Sequence, residues 1–317
     1  MPSVWIDPEL LEAREALAGG LSSLNFDDMP ASRAALAAVL PPISPGESVD
    51  VQDRMVPGPS GNPEVKLRIY RPSDSPAAAV LPCLYWIHGG GMVMGTLDGE
   101  NANLGNIVQE VGCVAVSVEY RLAPEHPHPA PVEDCYAGLV WTAKHAGELG
   151  INASRLAIGG ASAGGGLAAA TALLARDRGA PPLVFQYLVY PMLDDRNLTP
   201  SSHEITAVGI WDRATNLNGW KALLGDQAGG DAVSPYAAPA RAANLAGLPP
   251  AYIDVGTADL FRDEDIDYAQ RLMQAGVPTE LHIYPGAYHG FELAVRSRVA
   301  RTARTLRLAA LKRALGG

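Results

Sequence analysis

The stretch that most restricts the fold is Gly160-Ala161-Ser162-Ala163-Gly164, which directly follows the apolar run Arg155-Leu156-Ala157-Ile158-Gly159. A serine set between small residues and glycines, with a strand pattern before it and a helical pattern over Leu167 to Ala175 after it, reads as a sharp strand-to-helix turn. Such a turn brings backbone segments too close for side chains at the flanking positions, which is why glycine is needed there. It aims the Ser162 hydroxyl out of the sheet edge. The free N–H groups and positive dipole end of the following helix face the same point and suit a developing oxyanion. The chemistry this favours is acyl transfer, by an esterase, lipase, amidase or peptidase. Gly159 to Gly165 also resembles a degenerate dinucleotide-binding turn, which requires an acidic residue at the end of the next strand. That strand, Leu183 to Tyr190, runs instead into Pro191.

The segments around this turn alternate between two periods. Val49 to Val56 and Val65 to Tyr70 alternate apolar and polar residues, as half-buried antiparallel strands do. Val80 to Ile87 and Cys113 to Val118 are almost unbroken apolar runs, which predicts central strands covered on both faces. Helical patterns over Gly99 to Val111, Pro131 to Leu149 and Ala163 to Arg178 separate them from strands Arg155 to Ile158 and Leu183 to Tyr190. After an irregular polar stretch the order resumes with strand Ala251 to Val255, helix Glu264 to Ala275, strand Glu280 to Tyr284 and a last helix from Glu292. The expected fold is α/β: a mostly parallel, eight-stranded sheet flanked by helices. The chain divides into N-terminal helices over 1–45, a first catalytic part over 46–194, an insertion over 195–231 with a helical centre at Arg213 to Leu224, and a second catalytic part over 232–317. An insertion at the C-terminal edge of such a sheet commonly forms a lid.

The chain has 317 residues and a formal net charge of −10, and no run approaches 18 consecutive apolar residues. An acidic surface repels nucleic acid and anionic membranes, so neither is an expected partner, and no membrane span is expected. The basic residues of the last helix (Arg296, Arg298, Arg301, Arg304, Arg307, Lys312 and Arg313) read as a solvated face. The N-terminus lacks the order of a secretion signal. Cys83, Cys113 and Cys135 lie in apolar surroundings and read as buried free thiols, in keeping with a cytoplasmic location. No metal-ligand spacing is present, and neither metal nor cofactor is expected.

A serine hydroxyl is a poor nucleophile without a base and an orienting acid. On this architecture the order is serine, acid, histidine, each on a loop after a later strand. His289 lies in the loop after strand Glu280 to Tyr284, whereas His282 lies inside that strand, so His289 is the expected base. Asp259 stands just past strand Ala251 to Val255 and is the expected acid, with Asp263 as the alternative. Asp263 and Glu264 read as caps of the following helix, and Asp254 lies within the strand. The oxyanion donors are expected from Gly90 and Gly91, after strand Val80 to Ile87, together with the N–H of Ala163. His88 reads as a residue that fixes the glycine loop. Met92 and Trp211 are candidates for contact with the substrate. Trp5, Ile6, Leu10, Leu217 and Trp220 either line an apolar mouth or pack between cap helices.

These segments together resemble one family. His88-Gly89-Gly90-Gly91, Tyr120-Arg121-Leu122-Ala123-Pro124-Glu125-His126-Pro127, Gly160 to Gly165, Asp259 to Glu264, and Tyr284 to Phe291 look like the corresponding motifs of the hormone-sensitive-lipase-type esterases, bacterial family IV of the α/β hydrolases. The resemblance runs from about Val65 to Phe291. It implies hydrolysis of small carboxylic esters with short to medium acyl chains, a cap built from the N-terminal helices and the insertion, and a homodimer through the last strand and helix. Mapped motif by motif it implies Ser162, Asp259 and His289 as the triad and Gly90, Gly91 and Ala163 as the oxyanion hole. Ala161 stands where relatives often carry Asp or Thr, Leu260 where proline is frequent, and His128 where an aromatic is usual. Two other readings remain open at this point: a ligand receptor on the same fold, which would lack the histidine, and an amidase or peptidase using the same triad.

Overall fold

The computed structural model describes residues 4–15, 24–39, 43–76, 78–206, 208 and 211–316. Its frame is an eight-stranded sheet: β1 (Val49–Val56), β2 (Val65–Pro72), β3 (Leu81–Ile87), β4 (Val114–Glu119), β5 (Ile151–Ala161), β6 (Phe185–Val189), β7 (Ala251–Gly256) and β8 (Thr279–Tyr284), in the spatial order β1-β2-β4-β3-β5-β6-β7-β8. β2 runs antiparallel to both neighbours, and every pairing from β4 to β8 is parallel. The mostly parallel sheet expected from the alternating pattern is therefore present. Strands β3 and β4 are apolar along nearly their whole length because helices cover both faces.

The helices are α1 (Met29–Val39), α2 (Asn101–Val111), α3 (Ala130–Lys144), α4 (Ala163–Arg178), α5 (Pro200–Glu204), α6 (Arg213–Leu224), α7 (Arg262–Gln274) and α8 (Arg298–Ala314). One sheet face is packed by apolar residues of α3, α4 and α7, the other by those of α2 and α8. α4 runs through the centre, and Ala163 to Ala175 are buried throughout. Only a helix rich in glycine and alanine comes this close to a sheet. Cys83, Cys113 and Cys135 are buried and free. Among the described residues no helix is long and apolar enough to cross a membrane.

Several boundaries differ from the sequence reading. β5 starts at Ile151, four residues before Arg155, because Ile151 pairs with Leu81 ahead of a register shift. The last helix starts at Arg298 and not at Glu292, since Ser297 caps it by accepting the Ala300 N–H, and Phe291 to Leu293 form a separate short turn. Arg307 does not belong to a solvated face. It is buried on the apolar stripe formed by Ala300, Ala303, Ala310 and Leu311, and its guanidinium donates to both Asp254 oxygens at 2.7 and 3.0 Å. Asp263 and Glu264 do not cap their own helix. Asp263 accepts the Ser201 N–H, and Glu264 accepts the N–H groups of Leu193 and Asp194, so Asp263 fastens the insertion, and Glu264 the residues just before it, to α7.

Of the N-terminal 1–45 segment, residues 1–3, 16–23 and 40–42 lie outside the described residues. Residues 4–10 lie along the loop after β8: Asp7 N–H donates to the Gly286 carbonyl, and Ile6 and Leu10 are buried on the α8 side of the sheet. α1 is fastened elsewhere. Arg33 donates to the carbonyls of Val93 and Ala123 at 2.6 and 2.8 Å and makes a two-pronged pair with Glu125.

Candidate active site

Ser162 stands between the last residue of β5 and the first of α4 with φ 58° and ψ −123°, left-handed backbone that a serine adopts only under constraint. Three backbone hydrogen bonds impose it. The Ser162 N–H donates to the Val189 carbonyl, and the Ser162 carbonyl accepts from Met192 and Gly166. Glycine is required at 164 because a Cβ there would lie 2.0 Å from the Ile87 carbonyl oxygen. The turn is thus fixed by close approach of β3, β5 and α4.

The loops after β7 and β8 are joined to each other. Thr257 N–H donates to the Tyr284 carbonyl, Ala258 N–H to the Ala287 carbonyl, and Gly286 N–H to the Thr257 hydroxyl. This places Asp259 and His289 side by side. His289 Nδ1 lies 2.8 Å from Asp259 Oδ2, and His289 Nε2 lies 2.9 Å from Ser162 Oγ. Asp259 is fully buried and His289 is 7% exposed. The second Asp259 oxygen accepts the Phe261 N–H. The imidazole is flanked by Tyr190 and Phe261, both meeting it in T-shaped contacts with centroids at 4.5 and 5.1 Å. The two residues set aside in the sequence are engaged elsewhere: His282 pairs with Glu280, and Asp254 with Arg307.

The glycine loop after β3 turns on itself through bonds from the Val93 and Met94 N–H groups to the Gly90 carbonyl. Among the described residues no acceptor takes the N–H of Gly90, Gly91 or Ala163. The loop lies against the nucleophile strand, since a Cβ on Gly89 would stand 2.9 Å from the Ala161 carbonyl oxygen. His88 fixes its base: the ring stacks on Tyr120 at 4.3 Å, and Nδ1 lies 2.8 Å from the Gly89 carbonyl. Burial pushes His88 down to about 4, with the Gly89 carbonyl offsetting part of the effect, so the ring is neutral near pH 7.

Trp211 covers Gly91, and a Cβ on Gly91 would stand 2.1 Å from Trp211 Cη2. Its indole N–H donates to Asn216, which donates in turn to Asn197. Met92 is fully buried in the core with φ 64°. Trp220 is fully buried, whereas Leu217 and Trp5 are exposed. Among the described residues no group of three His, Cys, Asp or Glu side chains is placed to hold a metal ion. The sequence reading missed Arg33, Tyr190, Glu264, Glu292 and Arg307. Arg307 alone had a visible signal, a charge in the middle of an alanine-leucine stripe.

A family model described as alpha/beta hydrolase fold matches residues 84–293. Esterase LipI from Mycobacterium tuberculosis is 41% identical over 291 residues, covering 90% of this chain and 88% of that protein. Carboxylesterase NlhH from the same species is 38% identical over 294 residues, covering 91% and 90%. A solved structure of a bacterial heroin esterase superposes with a TM-score of 0.92 at 42% identity over 98% of both chains.

Proposed function

The chain belongs to the alpha/beta hydrolase fold family, in its hormone-sensitive-lipase-type group, and from that membership we propose that it is a carboxylesterase acting through Ser162, His289 and Asp259. The observation that carries this reading is the double contact of His289, at 2.9 Å to Ser162 Oγ and 2.8 Å to Asp259 Oδ2. A general base must lie within hydrogen-bond reach of the proton it takes. His289 Nε2 accepts the hydroxyl proton as Ser162 Oγ attacks the ester carbonyl carbon. Asp259 holds the other nitrogen as the donor and stabilises the imidazolium without taking its proton. The carbonyl oxygen, now negative, accepts from the N–H groups of Gly90, Gly91 and Ala163. Collapse of the tetrahedral adduct expels the alcohol, which takes the proton from His289 Nε2 and leaves an acyl-serine. Water then attacks the acyl carbon and gives its proton to His289; this second adduct collapses as Ser162 Oγ takes that proton back from His289 Nε2, and the carboxylic acid departs.

The substrate class is a small ester with a short to medium acyl chain. The cap over it is formed by the 1–45 and 195–231 segments, a reading supported by Arg33 on the Val93 carbonyl and Trp211 on Gly91. A homodimer through β8 and α8 is part of the same proposal, supported by the place of β8 at one end of the strand order and checked by sedimentation. So is a cytoplasmic location, supported by three unpaired cysteines.

Replacing Ser162 with alanine tests the triad. Turnover of p-nitrophenyl butyrate should fall by about 10⁴–10⁶, and covalent labelling by a fluorophosphonate should vanish. A variant retaining a few per cent of activity overturns the assignment. The acyl-length reading is checked by nitrophenyl esters from acetate to palmitate, with palmitate expected to be turned over least. Faster cleavage of the matching anilide than of the butyrate ester would make the enzyme an amidase.

A further inference from the structure

Among the described residues, Met92, Ser162, Tyr190 and Asn197 are the non-glycine positions with left-handed φ. Ser162 is the nucleophile, Met92 belongs to the glycine loop, and Asn197 supports the Asn216–Trp211 chain. Tyr190, with φ 32°, has no part in the reaction as described so far. A bulky residue holds such a backbone only where its surroundings over-determine it, and such positions concentrate at functional sites.

Tyr190 joins three segments of the site. It follows Val189, whose carbonyl accepts the Ser162 N–H, and its own N–H donates to the Asp254 carbonyl at 2.8 Å. Its ring meets the His289 imidazole at 4.5 Å in a T-shaped contact. Its hydroxyl donates to Glu292 Oε1, three residues beyond His289 on the same loop. Burial and the neighbouring Glu292 carboxylate keep the phenol protonated, so it can only be the donor in that pair. Behind the pair, Arg307 lies 5.5 Å from both the Tyr190 and Phe291 ring centroids while bound to Asp254. The backbone N–H and the hydroxyl of Tyr190 are thus both engaged, and the ring between them lies against the imidazole.

We propose that Tyr190, tied through its hydroxyl to Glu292, is a positioning residue for His289. The proposal rests on His289 being the general base. During the reaction Nε2 must serve first Ser162 Oγ and then the leaving alcohol, while Nδ1–H stays on Asp259. That requires a small tilt of the ring and forbids a swing. Tyr190 and Phe261 meet the imidazole in edge contacts that limit it to the tilt. The bond to Glu292 keeps the Tyr190 ring and the His289 loop in one register. Misplacement of a reacting group by a fraction of an ångström lowers turnover without lowering substrate binding.

The test compares Tyr190→Phe, Glu292→Ala, Glu292→Gln and the double variant Y190F/E292A with the wild-type enzyme on p-nitrophenyl butyrate. Y190F and E292A should each lower kcat about tenfold, as for loss of a hydrogen bond to a charged group, with KM unchanged. The double variant should be no slower than the worse single one, because both remove the same bond. Glu292→Gln keeps an acceptor and should retain most of the activity. Wild-type kcat in Y190F, or losses that multiply in the double variant and follow the fall in Tm, would overturn the proposal. If Y190F does not fold, the E292A and E292Q pair decides from the Glu292 end of the bond. Failure of the triad itself is seen separately, as activity surviving in Ser162→Ala.

Discussion

On the Ser162 side of the site the chain touches itself through backbone atoms, whereas on the Asp259–His289 side it is joined by buried carboxyl and guanidinium side chains. The glycine loop and the Ser162 turn meet so closely that they leave no room for a Cβ: one on Gly89 would lie 2.9 Å from the Ala161 carbonyl oxygen, and one on Gly164 would lie 2.0 Å from that of Ile87. Across the site, Asp254 holds Arg307, Glu264 holds the Leu193 and Asp194 N–H groups, and Asp265 is buried beside them. The oxyanion side needs donors that do not move while charge develops, and packed backbone provides that. The acid–base side must hold a ring whose charge changes, in a wall made from four separate segments. Directional hydrogen bonds from buried carboxyl and guanidinium groups fix such segments where packing alone would let them slide.

The largest expected effect lies on the charged side. Arg307→Met leaves Asp254 buried without its cationic partner, with the Tyr252 hydroxyl as its remaining side-chain partner among the described residues. Removing one member of a buried pair costs roughly 3–5 kcal/mol. Chemical denaturation should register that loss, and adding Asp254→Asn should return the larger part of it, since asparagine still accepts from Tyr252. A single variant as stable as the wild type would mean that this wall is held by packing, and the contrast between the two sides would dissolve.

Gly91→Ala makes the complementary test on the backbone side. The added Cβ would overlap Trp211 Cη2 at 2.1 Å, and φ is +61°. The loop must shift to admit it, and misplacing one oxyanion donor lowers kcat by about 10²–10³. Trp211→Ala in the same chain removes the overlap but not the backbone strain, so it should recover part of the rate. The Tm should move little, because the loop's anchors at Tyr120 and Ala123 remain. A full rate in Gly91→Ala would remove Gly91 from the hole.

This division also explains what was legible in the sequence. Gly89 to Gly91 and Gly160 to Gly164 announce themselves because the constraint falls on residue identity at one place. Asp259 and His289 could be picked out because each follows a strand on a loop. Arg307 and Asp254, 53 residues apart, could not be paired by inspection, nor could Glu264 with a backbone N–H 71 residues away. Asp263 and Glu264 look like caps of α7 by local rule, and the N–H groups of Ser201 and of Leu193 and Asp194 outcompete the helix for them. The start of α8 was misplaced for a similar reason. Nothing local to Glu292 reveals that its carboxylate is taken by Tyr190 and that the helix waits for Ser297.

The smallest expected effects are in pH dependence, where the two sides should act in opposite directions. His88, on the backbone side, is held at about 4 against an ordinary 6.5. Between those values the unfolded chain binds a proton that the folded chain refuses, so stability is complete above about pH 6.5 and is lost as pH falls toward 4. His88→Phe keeps the stack on Tyr120 and abolishes that slope, sparing at most about 3 kcal/mol of acid loss. Asp265 is the reverse case. Burial, followed by the charges of Glu264, Asp259 and Asp254, holds its carboxyl well above the usual range, and among the described residues neither oxygen has a hydrogen-bond partner. There the folded chain keeps a proton that the unfolded chain releases, so stability falls as pH rises above the ordinary carboxylate range. Asp265→Asn should leave stability at pH 4 unchanged and raise it at pH 8 by roughly 1–3 kcal/mol, the cost of a buried unsatisfied group. Denaturation midpoints at the two pH values separate the variants. If both flatten the same limb, buried charge is not what distinguishes the His289 wall from the Ser162 wall.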